Sequence, residues 1–207
     1  MEENMIIYQG RHITMPTPNP PTIIDISPIE ESKYLSLQRV TFNEQGINKT
    51  WDITKSHDSV AIVLYHRERD GFIFVRQFRV GVFLQNNKHG YMYELCAGLY
   101  DKNIDTTQIA IEEIQEECGY FISKDRIELI TQLYGNVGMS GAKQYLFYAE
   151  IKSKDKKSAG GGVASELENI ELIFVPRALI DEFIDDLNCP KTPSLCYGIL
   201  WSKGKKF

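Results

Sequence analysis

The sequence predicts an α+β protein built on a mixed β-sheet. Runs of β-branched and aromatic residues recur at 60–65, 72–78, 144–151 and 170–175. Helical patterns are few and show no regular alternation with these runs, which argues against a doubly wound parallel fold. The chain has 207 residues and is 43% hydrophobic. That is enough for a core of one elaborated domain or two small ones.

Residues 14–30 hold five of the eight prolines (Pro16, Pro18, Pro20, Pro21 and Pro28). Proline fixes φ and donates no hydrogen bond, so residues 1–32 are expected to form an extended arm. A β pattern begins at Lys33. Tyr34 to Phe42, a turn at 43–46 and Lys49 to Thr54 predict a hairpin, and residues 33–57 a small β-subdomain. The body of the protein is expected over 58–207. Val60–Tyr65 and Phe72–Phe78 flank the turn HRERDG and predict a second hairpin. Tyr91–Cys96 predicts a strand broken at Ala97-Gly98. Thr106–Cys118 predicts a helix with Thr106 or Thr107 as its cap and Gly119 at its left-handed end. Strands are expected at 126–134, 144–151 and 170–175, with a glycine-rich loop at 152–162. Helices are expected at 176–186 and from Thr192-Pro193 onward.

Lys and Arg number 23 against 28 Asp and Glu, a net charge of −5, which argues against a nucleic-acid or anionic-membrane partner. The longest apolar run, Val60–Tyr65, is far below the ~18 residues of a spanning helix. Acids stand near the N-terminus where a secretory signal carries Lys or Arg, and the four cysteines form no CxxC pair. Free thiols and a cytoplasmic location are the expectation. His12, His57, His66 and His89 form no zinc-ligand spacing.

The predicted helix at 106–118 carries the chemistry. Asp105, Glu112, Glu113, Glu116 and Glu117 lie between Asn103 and Ser123, a window with no Lys or Arg. Glu113, Glu116 and Glu117 stand at i, i+3 and i+4 and share one face, while Ala110, Ile111, Ile114 and Cys118 form an apolar stripe on another. Like charges at this spacing repel, and acids in the C-terminal half oppose the helix dipole. A solvated face normally interleaves cations. Uncompensated repulsion points to a divalent-cation site with oxygen ligands, suited to Mg²⁺ or its substitute Mn²⁺ working with substrate phosphates.

Residues 98–120 resemble the Nudix box, G-x5-E-x7-R-E-U-x-E-E-x-G-U, where U is a bulky apolar residue. Gly98, Glu113, Ile114, Glu116, Glu117, Gly119 and Tyr120 match; Ile104 stands where Glu is usual and Glu112 where Arg is usual. KTWDITKSHDSVAIVLY, FVRQFRVGVF, YELCAGLYD, the glycines 160–162 and CPKT at 189–192 extend the likeness to the UDP-sugar diphosphatase branch, near the ADP-ribose pyrophosphatases. The resemblance implies a Nudix α/β/α sandwich with mixed sheet and an N-terminal antiparallel β-subdomain that exchanges between the subunits of a homodimer. It implies hydrolysis of a nucleoside diphosphate sugar, UDP-glucose first, with ADP-ribose or another such sugar as the alternative. A catalytically weak nucleotide-sugar binding module is the alternative of another class.

Site roles follow from the same resemblance. Glu113, Glu116, Glu117 and the Ala97 carbonyl are expected to hold Mg²⁺. Arg79 is expected on the diphosphate, Glu94 near substrate or metal, and Trp51 either on the base or in an interface. Metal-bound glutamates are poor proton acceptors, so the general base is expected beyond the glycines, at Glu166 or Glu168. The three glycines would let that loop open and close.

Overall fold

The computed structural model describes residues 18–32, 34–86, 90–163 and 168–205, and within the first 17 residues three two-residue strands, β1 (Asn4–Met5), β2 (Tyr8–Gln9) and β3 (His12–Ile13). Its centre is β6 (Asp58–His66), whose residues are buried from Val60 onward. Val60, Ile62 and Leu64 enter one apolar cluster and Ala61, Val63 and Tyr65 the other, because successive side chains of a strand point to opposite faces. A strand covered on both faces reads as an unbroken hydrophobic run, which is why VAIVLY carries no alternation.

The eight-stranded sheet runs β1, β12 (Glu171–Pro176), β7 (Gly71–Phe78), β6, β11 (Lys143–Ile151), β10 (Ile127–Tyr134), with β8 (Tyr91–Glu94) on β7 and β9 (Cys96–Tyr100) on β6. It is mixed: β11 lies parallel to β6, and β7 and β9 lie antiparallel to it. Helix α2 (Thr106–Cys118) covers one face through Ile109, Ala110 and Ile114. Helices α3 (Ile180–Asp185) and α4 (Pro193–Ser202) cover the other through Phe183, Leu195 and Ile199. The result is the expected α+β sandwich.

The hairpin β4 (Leu35–Glu44) and β5 (Ile47–Ser56) forms a separate antiparallel sheet, registered Val40 to Trp51. Its apolar residues Leu37, Ile47 and Trp51 are exposed. Its contact with the body runs through the loop after β10: the Thr54 amide donates to the Met139 carbonyl (2.7 Å) and the Trp51 indole N–H to the Gly138 carbonyl (2.7 Å).

Some local expectations are corrected. The strand at 91–100 breaks at Leu95, and Ala97-Gly98 lie inside β9, paired with Ala61 and Val60. The N-cap of α2 is Asp105, whose carboxylate pairs with Lys124 in place of a threonine cap. Val80–Asn86 forms a short helix, α1, in a segment for which the sequence predicted no element.

Candidate active site

The second hairpin splays. Strands β6 and β7 pair only from Leu64–Ile73 to His66–Gly71; beyond that β9 pairs with Asp58–Ile62 and β8 with Val75–Phe78. The chain turning between β8 and β9 therefore enters the wedge and brings Glu94 and Ala97 to it. The edge of β8 is braced by the CPKT segment, where the Tyr93 amide donates to the Pro190 carbonyl and the Thr192 amide to the Tyr93 carbonyl.

Helix α2 lies against β9 and directs its acids at this wedge in graded fashion. Glu117 is 3% exposed. Its carboxylate accepts the Ala97 amide (2.9 Å) and the Cys96 thiol. Burial, reinforced by the charges of Glu113 and Glu168, raises its pKa to about 8. Glu113 is half-buried and its carboxylate lies against the Gly98 backbone, where a Cβ would overlap it; this is the physical reason for glycine at the start of the motif. Glu116 is exposed at the rim.

Glu112 accepts the Lys102 ammonium (2.8 Å), and the charges of Glu112, Glu116 and Glu113 all raise the Lys102 pKa. The loop between β9 and α2 is thus tied to the helix by an ion pair. Lys102 was missed from sequence because it stands one residue outside the cation-free window.

Arg79, at the end of β7, and Glu94 form a two-pronged pair, Nε to Oε1 at 2.7 Å and NH2 to Oε2 at 2.9 Å. Glu94 is nearly buried while Arg79 is 46% exposed, so the guanidinium presents its remaining N–H groups outward. Glu94, Glu117 and Glu168 all act to raise the Arg79 pKa, which brings the four groups into one field. Arg76 points elsewhere: it is buried and bonded to Glu171 and Tyr93.

Glu168 is seated by the glycine loop, its Oε2 accepting the Val163 amide (3.0 Å). Glu166 lies outside the described residues. Gly160, Gly161 and Gly162 all have positive φ, at 71°, 104° and 89°. Gly161 donates to the Glu117 carbonyl (2.7 Å) and Gly162 to the Glu116 carbonyl (3.2 Å), while the Lys156 ammonium donates to the Cys118 carbonyl (2.9 Å). With Gly119 in the left-handed region and Tyr120 donating to the Ile114 carbonyl, the last turn of α2 has its carbonyls satisfied. Through these amides the glycines fasten the ends of the loop to the helix. Trp51 is 55% exposed and held on the Gly138 carbonyl.

The acid set fits a divalent cation. A carboxylate buried beside two others is costly to ionise, and a cation removes that cost. Among the described residues no three His, Cys, Asp or Glu side chains already converge as a ligand cluster. The fit therefore rests on the buried charge and on the oxygen donors of Glu113, Glu116 and Glu117.

No family model matches the chain. Among curated relatives, the uridine diphosphate glucose pyrophosphatase of Bos taurus is 32% identical, aligning 82% of this chain with 88% of its own length. The GDP-mannose pyrophosphatase of Cronobacter sakazakii is 33% identical over 72% of this chain and 78% of its own. A solved ADP compounds hydrolase shares the fold with TM-score 0.65 and 17% identity, covering 92% of this chain and 98% of that one.

Proposed function

Because the chain belongs to the Nudix hydrolase family of sugar-nucleotide pyrophosphatases, we propose that it hydrolyses the diphosphate of a nucleoside diphosphate sugar. The proposed substrate is UDP-glucose, split by water to UMP and glucose 1-phosphate with Mg²⁺. The observation that carries the reading is the buried Glu117, raised to about 8 and sharing its field with Glu113, Glu168 and the Arg79–Glu94 pair. The greater coverage of the UDP-glucose relative supports the choice of base and sugar. The GDP-mannose relatives, at comparable identity, keep GDP-mannose and ADP-ribose as the second reading.

Glu113, Glu116 and Glu117, with the Ala97 carbonyl, would hold the cation, Mg²⁺ or Mn²⁺. When bound, it neutralises phosphate oxygens and makes water more acidic. The chain's own residues supply the rest. The outward N–H groups of Arg79 bind the diphosphate, and Glu94 fixes the plane of the guanidinium so that its fork meets two oxygens. Glu168 accepts a proton from the attacking water as its oxygen bonds to phosphorus and the bridging P–O bond breaks. The charge of Glu168 on both Glu117 and Arg79 supports it as the base; Glu166, the other candidate, lies outside the described residues.

The proposed organisation is an arm over 1–32, which lends β1 to the edge of the main sheet, a β-subdomain over 33–57 and a hydrolase domain over 58–207, assembled as a homodimer. Exposed Leu37, Ile47 and Trp51 on the hairpin, with Val137 and Met139 on the loop that holds it, support a second copy covering that surface. The exposure of the Trp51 ring supports a role for it in the partner's base site. Four free cysteines, three of them buried, support a reducing, cytoplasmic location. No helix among the described residues is long and apolar enough to cross a membrane.

Product analysis with Mg²⁺ on UDP-glucose, ADP-ribose and GDP-mannose in parallel, with Glu117→Gln as the blank, tests the function. Fastest release of UMP and glucose 1-phosphate from UDP-glucose is expected. Faster turnover of another sugar nucleotide moves the substrate, and no turnover of any refutes the reading.

A further inference from the structure

The loop carrying Glu168 is closed at its base, on either side of that residue. The Ile170 amide donates to the Gly161 carbonyl (3.3 Å), so residues 161 and 170 form a neck, and the Gly161 and Gly162 amides fasten the neck to α2 at the carbonyls of Glu117 and Glu116. Two of the three glutamates directed at the cation thus anchor, through their backbones, the loop that bears the candidate base. At this neck Gly162 differs from its neighbour. A Cβ on Gly161 would make only ordinary contact, 3.7 Å from the Ile170 carbonyl oxygen, whereas one on Gly162 would stand 2.5 Å from Glu168 Oε2 and 2.7 Å from Glu168 Cβ. Both residues have positive φ, so a substitution at either strains the backbone equally in kind.

We propose that Gly162 is a positioning residue for the hydrolysis. Its bare Cα lets the Glu168 carboxylate fold back onto the Val163 amide, which fixes that carboxylate in register with the Glu116–Glu117 turn of α2. The inference rests on the reading of Glu168 as the base and deepens it. Nothing in the glycine pattern alone distinguishes 162 from 160 or 161; the distinction comes from where Glu168 packs.

The test compares Gly162→Ala, Gly161→Ala and Glu168→Gln, alone and with Gly162→Ala added to Glu168→Gln, in the full chain. Two readouts are used: the proton shift of the Val163 amide by NMR without metal, and steady-state kinetics on UDP-glucose with Mg²⁺. Gly162→Ala is expected to move the Val163 amide as Glu168→Gln does and to lower kcat at least tenfold. KM is expected to change less than about twofold. Gly161→Ala strains the same neck without meeting Glu168, so it should lose comparable thermal stability but show a smaller kcat loss, and a Val163 amide nearer wild type, than Gly162→Ala. In the Glu168→Gln background Gly162→Ala should cost no further kcat. A Val163 amide unmoved by Gly162→Ala, equal kcat losses in the two glycine variants, or a further loss in the double variant overturns the positioning role. Full activity of Glu168→Gln with a moved amide instead refutes Glu168 as the base.

Discussion

Glu117→Gln separates the cost of a buried carboxylate from its use. In the folded protein without metal its pKa stands at about 8, against an ordinary value of 4.5. At ~1.36 kcal/mol per unit, the 3.5 units between them correspond to about 5 kcal/mol of folding stability. The pKa is raised in the folded state, so that stability is fully present below pH 4.5, where the carboxyl is protonated in both states. It is lost progressively as pH rises toward 8; at pH 7 about 3 kcal/mol is gone. Glutamine keeps an oxygen for the Ala97 amide and never ionises. Melting in EDTA from pH 5 to pH 8 should therefore show wild type falling and the variant holding. Their Tm difference at pH 8 should be on the order of 10 °C, at ~2–4 °C per kcal/mol for a chain of this size. Saturating Mg²⁺ should raise the wild-type Tm by mass action and leave the variant nearly unmoved. Turnover should fall on the order of 10²-fold or more, ~3 kcal/mol of transition-state stabilisation. Parallel pH slopes in EDTA would refute the buried-charge argument, and full turnover by the variant would refute the metal assignment.

Other perturbations probe the rest of the site. Arg79→Lys keeps the charge but loses the fork, so KM for UDP-glucose should rise roughly 10- to 100-fold with the metal half-saturation unchanged; an unchanged KM removes the diphosphate contact. Exchanging the charges of the Lys102–Glu112 pair should restore whatever either single reversal loses, about 0.3–1 kcal/mol for a pair this exposed. Denaturant unfolding of the three variants checks this, and an additive loss in the double exchange argues against the tie. Trp51→Ala should weaken UDP-glucose binding and lower the melting temperature modestly. If sedimentation finds wild type monomeric at micromolar concentration, the subunit-spanning role of Trp51 fails.

The long elements were legible because their signals are local. Gly119 ends α2 at the expected residue, since the left-handed position has a strong preference that no tertiary contact overrides here. The hairpin β4–β5 followed from alternation around a turn at 43–46, where Gln45 and Gly46 take positive φ. What was not legible depends on partners distant in the chain. Ala97-Gly98 read as a strand break because glycine disfavours strands, yet Gly98 stays in β9 so that the Glu113 carboxylate has room beside it. The 80–86 helix had no signal of its own in the sequence; it forms where the chain turns from β7 toward β8, with the Phe83 amide bonded back to the Arg79 carbonyl.

The two departures from the motif show how a site tolerates a lost pair. Ile104 and Glu112 stand where the motif has a Glu and an Arg, residues of opposite charge. In this chain Glu112 has a partner in Lys102, two residues earlier than Ile104 in the same loop, so a tie between β9 and α2 is present with its polarity reversed. Ile104, 38% exposed, no longer needs a charge. The reversal places a cation, instead of a carboxylate, on the loop facing Glu113 and Glu116, where it relieves their repulsion before any metal arrives. The same cation opposes metal entry by Coulomb repulsion. Lys102→Met should therefore tighten the apparent Mg²⁺ affinity two- to tenfold at low salt, ~0.4–1.4 kcal/mol, with the gain fading as ionic strength rises. Weaker Mg²⁺ binding by Lys102→Met would refute the opposing-charge argument and leave the ion pair only its structural role.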